Sequence, residues 1–315
     1  MDWEMAPEPE WRKAITPWQD RRQSQWLVGL VGTALVLQLL NTIEYAGTKQ
    51  LWALLLGTAG VSAVFGLGAW RSRAATPMAA VFGAAICFEI TFWTAILTWE
   101  DWGVPPGMFW FHSALPALVA LFLLTFAATR LGRSRKLAAG LAEPRRGRQV
   151  SQVLANLGAA GLLSSQIAAD LIGLFQQQDQ GFLLIPPLAV AALAEATADT
   201  VSSEIGQAFG GRPILLTTLR RVPAGTDGAV SLLGTGAGIG AGAAVVGVSS
   251  WTMHYDITTM GILLLSAVTG LFFDSLLGAT IERRGKLGND WVNFLSTAFS
   301  AALAFLLLAL DTRQH

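Results

Sequence analysis

Nine runs of mostly apolar residues, separated by short polar connections, set the plan of this chain. They cover roughly 26–43, 51–70, 77–98, 111–130, 151–174, 184–208, 229–249, 257–281 and 291–309, each near the ~20 residues that a bilayer core requires of a helix. None alternates with a period of two, so the runs read as helices and not as strands of a barrel. In lipid the backbone must satisfy its own hydrogen bonds, which leaves an all-α, polytopic helix bundle of about nine transmembrane helices.

Charge orients the bundle. All but Lys49 and Arg313 of the 21 Lys and Arg residues fall in the N-terminal segment or in alternate connections. The fifth connection alone carries Arg130, Arg133, Arg135, Lys136, Arg145, Arg146 and Arg148. Basic loops stay inside, so the N-terminus is expected in the cytoplasm. Trp26, Trp52, Trp70, Trp99, Trp102, Trp110, Trp251 and Trp291 fall near span ends, where amphipathic rings prefer the headgroup layer, and Trp93 falls inside a span.

The chain divides into an N-terminal cytoplasmic or interfacial segment, 1–25, and one transmembrane domain, 26–310. The opening segment is too polar for the apolar region of a signal peptide. It reads equally as an interfacial helix or as a cytoplasmic tail.

Composition narrows the function. With 53% hydrophobic and 13% charged residues, this is an integral membrane protein. Zero net charge suggests no nucleic-acid partner. The single cysteine, Cys87, excludes a disulfide framework and a cysteine metal site, and reads as packing. The basic fifth connection suits either topology with contact to anionic membrane lipids, or phosphate binding.

Ionisable residues within spans are costly and mark function by default. Glu89, Asp170, Glu195, Asp199, Glu204 and Asp274 are the candidates. Glu195 and Asp199, four apart, share a helix face. With a rise of about 1.5 Å per residue, Asp199 lies roughly 14 Å, Asp274 10 Å, Asn156 8 Å, Glu204 6 Å and Asn293 5 Å from the inner boundary. These groups share one layer. Glu89 and Asp170 lie deeper or toward the outer side, and are assigned to buried hydrogen bonding.

The connection between the sixth and seventh runs holds Arg212, Arg220, Arg221, Thr226, Gly228 and Ser231 just before a helix start. Backbone N–H groups, a helix dipole and arginine forks can hold an anion there. No G-x-x-x-x-G-K-[S/T] sequence is present. The glycines from Gly234 to Gly242 read as close helix packing. His112, His254 and His315 all fall toward the outer side, so histidine chemistry at the inner face is not expected. Carboxylates, a divalent cation and arginines suffice for phosphoryl transfer, which needs mainly positioning and charge neutralisation.

Five ordered segments resemble one family, across about residues 125–310. They are Arg148-Gln-Val-Ser-Gln-Val-Leu-Ala-Asn156; Ala196-Thr-Ala-Asp-Thr-Val-Ser-Ser-Glu-Ile-Gly206; Thr217-Thr218 with Val222-Pro-Ala-Gly-Thr-Asp-Gly-Ala-Val-Ser231; Phe273-Asp-Ser-Leu-Leu-Gly-Ala-Thr280; and Asn289-Asp-Trp-Val-Asn293. The chain is similar there to the domain of unknown function 92, or transmembrane protein 19, family, which includes phytyl-phosphate kinases. Leu157 stands where the family often has glycine.

The resemblance implies a membrane lipid kinase that passes a phosphoryl group from a nucleoside triphosphate to a prenyl or phytyl monophosphate, at the cytoplasmic face. Similar polyprenol kinases favour CTP, so CTP with Mg²⁺ is expected. In that reading Asp199 and Asp274 hold Mg²⁺ with Glu204 or Asp290 assisting. Arg148, Arg212, Arg220 and Arg221 neutralise phosphates, and Thr226, Gly228 and Ser231 hold a phosphate. Asn156 and Asn293 orient oxygens. Two other classes compete. An ion or amphiphile transporter would carry its polar site near the midplane. A CDP-alcohol phosphotransferase would need a D-G-x-x-A-R pattern, which is absent.

Overall fold

The computed structural model describes residues 15–102, 109–142, 147–176 and 181–311. Each of the nine apolar runs contains a helix there. The first helix, α1 (Pro17–Thr48), starts earlier than its apolar run. Thr16 caps it by accepting the Gln19 amide at 3.2 Å, Gln19 returns the bond as a capping box, and Pro17 fits the first turn. Residues 17–25 form the opening turns of α1, while residues 1–14 lie outside the described residues.

α2 (Trp52–Arg71), α3 (Pro77–Trp102) and α4 (Leu115–Arg130) follow. A short helix, α5 (Arg133–Ala138), forms within the basic fifth connection; Arg145 and Arg146 lie outside the described residues.

The fifth run, expected as one span, is two helices: α6 (Val150–Leu163) and α7 (Gln166–Gln176), bent by 61°. Serines explain the break. Ser164 donates back to Ala160 at 2.9 Å, and Ser165 accepts the Ala168 amide at 3.0 Å, starting a new helix. Gln38 Nε2 satisfies the freed carbonyls of Gly161 and Ser164 at 2.8 and 2.7 Å.

α8 (Gly181–Phe209) is the centre of the bundle, buried on every side from Ile185 to Ala198. A two-stranded hairpin, β1 (Ile214–Leu215) paired antiparallel to β2 (Ala229–Val230), links it to α9 (Leu232–Met253). α10 (Ile257–Leu277) ends in a π-helical turn, Gly278–Glu282, and α11 (Asn289–Asp311) packs on α6, α8 and α10.

Among the described residues seven helices are long and apolar enough to cross a membrane, or eight where the bent pair α6–α7 counts as one span, and α4 is apolar but has 16 residues. The protein is a multi-pass helical membrane protein. Trp18, Trp26, Trp52, Trp70 and Trp251 point out of the bundle, whereas Trp93 is fully buried. Cys87 is buried in the core.

Candidate functional site

Three contacts decide which side chains meet. The first is between α8 and α9. A Cβ added at Gly234 would stand 2.5 Å from the Ser202 carbonyl oxygen, at Gly238 2.4 Å from that of Ala198, and at Gly242 3.3 Å from that of Ala194. Gly236 and Gly240 meet nothing within 4 Å. A small-residue stripe thus lets the two backbones touch. Asp199 lies one residue, or about 100° of helix, beyond that stripe.

The second contact joins α10 to α8 and α11. A Cβ on Gly270 would be 2.5 Å from Glu195 Cγ and 3.0 Å from Ser300 Cβ. Asp274 is one turn further along the same face of α10. The third contact fixes Arg148. Its amide donates to the Ala74 carbonyl at 2.9 Å, and its carbonyl accepts the Thr76 amide at 3.0 Å. Gly147, at φ 79°, makes this possible, because a Cβ there would sit 2.9 Å from the Ala75 nitrogen.

The result is a polar cavity of about 280 Å³ at the end of the bundle that carries the basic connections. Asp199 and Ser202 of α8, Asp274 of α10, Asn293 of α11 and Asn156 of α6 line it. Arg148 and the turn Thr226–Ser231 complete the wall. Asp199 and Asp274 interact electrostatically with each other, and the charge of Arg148 acts on Asp199. Asp274 Oδ2 is buried and accepts no hydrogen bond. One turn deeper on α8, both Glu195 oxygens are buried without a donor; the neighbouring Ser296 hydroxyl donates to the Asn293 carbonyl instead, at 3.0 Å.

Several expected residues are occupied otherwise. Glu204 lines the cavity, but its carboxylate accepts from Lys136 Nζ in a buried ion pair. Lys136 also donates to the carbonyls of Ala128 and Thr129, at 3.3 and 2.8 Å, so α5 is pinned to the end of α4. Asp290 accepts from Ser24 at 2.6 Å and does not line the cavity. Gln23 works beside it, donating to the Lys286 carbonyl at 2.9 Å and accepting the Gly288 amide at 2.7 Å, so α1 is tied to the α10–α11 connection.

Arg212, Arg220 and Arg221 are exposed on the hairpin and do not line the cavity. Ser231 caps α9, accepting the Gly234 amide at 3.1 Å, and Thr226 donates to the Pro223 carbonyl at 2.8 Å. Gly228, at φ 71°, is held against α10: a Cβ there would be 2.1 Å from the Ala279 nitrogen. Its place in the wall is set by packing.

Glu282 and Asp227 also line the cavity and were not among the expected site residues. Asp227 stands inside a quoted motif and could have been found there. Glu282 sits on the π-helical turn, which apolar periodicity does not foretell.

The deeper carboxylates behave differently. Glu89 Oε2 accepts from Gln38, Thr42 and Trp93 at 3.1, 2.9 and 3.1 Å, which is the buried hydrogen bonding expected of it. Asp170, expected to be buried, is exposed on α7. His112 and His254 stack with ring centroids 5.7 Å apart, outside the cavity wall, and His315 lies outside the described residues.

Among the described residues no three His, Cys, Asp or Glu side chains are grouped as a metal site. The oxygen donors Asp199 and Asp274 nonetheless fit Mg²⁺, which takes one or two carboxylates and completes its shell with phosphate oxygens and water. The unpartnered Asp274 oxygen, in a cavity that Asp199 also lines, is where such a cation would be held.

The model of the integral membrane family DUF92 matches residues 60–301. An uncharacterized membrane protein of Methanocaldococcus jannaschii is 33% identical over 190 residues, 60% of this chain and 74% of its own. Another, of Synechocystis sp., is 35% identical over 59% of this chain and 70% of its own. Protein VTE6, chloroplastic, of Arabidopsis thaliana is 29% identical over 67% of this chain and 61% of its own. No solved structure matches.

Proposed function

The chain belongs to the DUF92 integral membrane family, and from that premise we propose that it is a membrane lipid kinase acting at the cytoplasmic face. It passes the terminal phosphoryl group of a nucleoside triphosphate, CTP by preference, to a prenyl or phytyl monophosphate. The observation that carries this reading is the cavity in which Asp199 and Asp274, from two helices, face Arg148 and a helix start. The family resemblance in the same residues supports it.

An acceptor monophosphate has a second pKa near 6, so it is already a nucleophilic dianion at neutral pH. One of its oxygens bonds to the terminal phosphorus while the bridging bond to the leaving nucleoside diphosphate breaks. No side chain has to remove a proton. Arg148 places a positive charge against the acceptor phosphate, and Asn156 and Asn293 orient phosphate oxygens by hydrogen bonds. The N-terminus of α9, capped by Ser231, favours an anion beside it. Asp199 and Asp274 would hold Mg²⁺, whose charge would offset that of the transferred group. Glu204, paired with Lys136, stabilises the wall.

The test is purified protein in lipid with labelled CTP or ATP and geranylgeranyl or phytyl monophosphate. Label should appear in the diphosphate with wild type and vanish with Asp199→Asn. Absence of transfer with every triphosphate and acceptor ends the kinase reading.

A transporter finds support in the broken helix α6–α7, a feature of transporter sites. Its freed carbonyls, however, are sealed by Gln38. Flux into proteoliposomes without phosphoryl transfer would favour the transporter.

A further inference from the structure

A second cavity, of about 500 Å³, adjoins the first and has the opposite chemistry. Its wall is apolar and comes from four helices, with Phe65 on α2, Gly83 on α3, Leu121 and Phe122 on α4, and Val153 and Leu157 on α6. Phe65 and Phe122 meet edge-on, ring centroids 5.5 Å apart, so α2 and α4 touch across it. Counting helical rise, the wall reaches about 10 Å along α6 and about 14 Å along α4 from the basic end.

Its rim is cationic. Arg73, Arg130, Arg133 and Arg148 all line the cavity. Arg130 is fixed there by donating to the Ser72 carbonyl at 3.0 Å and by lying 3.9 Å over the Phe126 ring. Arg73 is held with φ at 60°, a conformation a non-glycine residue keeps only when its surroundings impose it. Arg148 and Asn156 line both cavities and so stand at their junction.

We propose that this second cavity is the acceptor-lipid site. A single isoprenoid chain lies along the apolar wall, its monophosphate sits among the rim arginines, and Arg148 with Asn156 hands that phosphate to the carboxylate cavity. The inference rests on the kinase reading of the first cavity. Charge decides the occupant: arginine forks match a phosphate monoester, which carries close to two negative charges. Volume decides the number of chains, because the space lies within the range of small-ligand sites and is too small for two acyl chains.

Gly83 gives a direct test. A Cβ there would meet only the Val153 Cγ1, at 4.0 Å, within the 4 Å surveyed, so a larger side chain enters the cavity without striking backbone. Binding of labelled geranylgeranyl monophosphate (20 carbons) and geranyl monophosphate (10 carbons) is measured for wild type, Gly83→Phe and the milder Gly83→Leu, in detergent, with thermal unfolding as the check on folding. We expect Gly83→Phe to weaken binding of the longer chain by roughly tenfold or more, and of the shorter chain far less, because the pocket loses volume and not charge. Arg73→Gln with Arg130→Gln should weaken the monophosphate but not geranylgeraniol.

Equal binding of both chain lengths by wild type and the folded Gly83 variants would overturn the inference and leave the kinase reading standing. Loss of long-chain binding in Gly83→Phe, in a protein that transfers no phosphoryl group, would keep the lipid site and sink the kinase. Displacement by phosphatidic acid as readily as by geranylgeranyl monophosphate would make this a phospholipid site and also overturn the inference.

Discussion

A Cβ on Gly238 of α9 would stand 2.4 Å from the carbonyl oxygen of Ala198 on α8, the residue just before Asp199. The backbone approach of two helices therefore sets where the principal carboxylate points. Gly238→Val should force α8 and α9 apart, lower the thermal unfolding temperature and abolish phosphoryl transfer. Gly240→Ala, two residues away where nothing lies within 4 Å, should leave both unchanged. Parallel unfolding and activity measurements on the two variants check this. Equal effects would mean that the glycine stripe does not position the site.

Asp199→Asn and Asp274→Asn should each reduce phosphoryl transfer by roughly 100-fold or more, since a charge aimed at the reacting group is lost. Folding should be kept or improved, because each change removes one of two mutually repelling, half-buried carboxylates. Activity titrated against Mg²⁺ should show a weaker metal dependence in both variants. An unchanged titration would detach these residues from the cation.

Lys136 and Glu204 form a buried ion pair that joins the basic connection to α8. Removing one partner strands the other, at a cost of about 3–5 kcal/mol. Lys136→Met and Glu204→Gln should each destabilise strongly, and the double variant should recover much of the loss. A double-mutant cycle on unfolding temperature in detergent reads this coupling. Additive effects would show that the pair contributes nothing as a unit.

Glu89→Leu should destabilise by about 1–3 kcal/mol, since the buried Thr42 hydroxyl loses its acceptor, whereas Gln38 keeps the Gly161 and Ser164 carbonyls and Trp93 keeps the Thr42 oxygen. Turnover per folded molecule should stay close to wild type. Loss of turnover in a fully folded Glu89→Leu protein would bring this deep carboxylate into the chemistry.

Much of the site could be read from residue order. Asp199, Asp274, Asn156, Asn293, Arg148 and the Thr226–Ser231 turn do share one cavity. A charged or amide side chain in an apolar run is expensive enough to be informative wherever it occurs, and helical rise gives its depth. Rotation about the helix axis and the direction of long side chains are not written so plainly. Arg212, Arg220, Arg221 and Asp290 lie outside that cavity, because the arginines are exposed on the connection between α8 and α9 and Ser24 of α1 claims the aspartate. Glu204 meets a lysine 68 residues away.

By itself, then, the sequence determined an α-helical membrane bundle, because unpaired backbone groups are intolerable in lipid and the length of each apolar run is set by bilayer thickness. It also placed Asp199, Glu204 and Asp274 in one layer. Tertiary structure alone decided that this layer closes into a polar cavity, that an apolar chamber lies beside it, and that Arg148 belongs to both. Those facts arise from contacts between residues far apart in the chain: glycine stripes that let backbones touch, serines that break α6 from α7, and a two-residue pairing that pins Arg148 to the α2–α3 turn. Hydropathy records how much each segment prefers lipid, and it carries no information about which segment will be its neighbour.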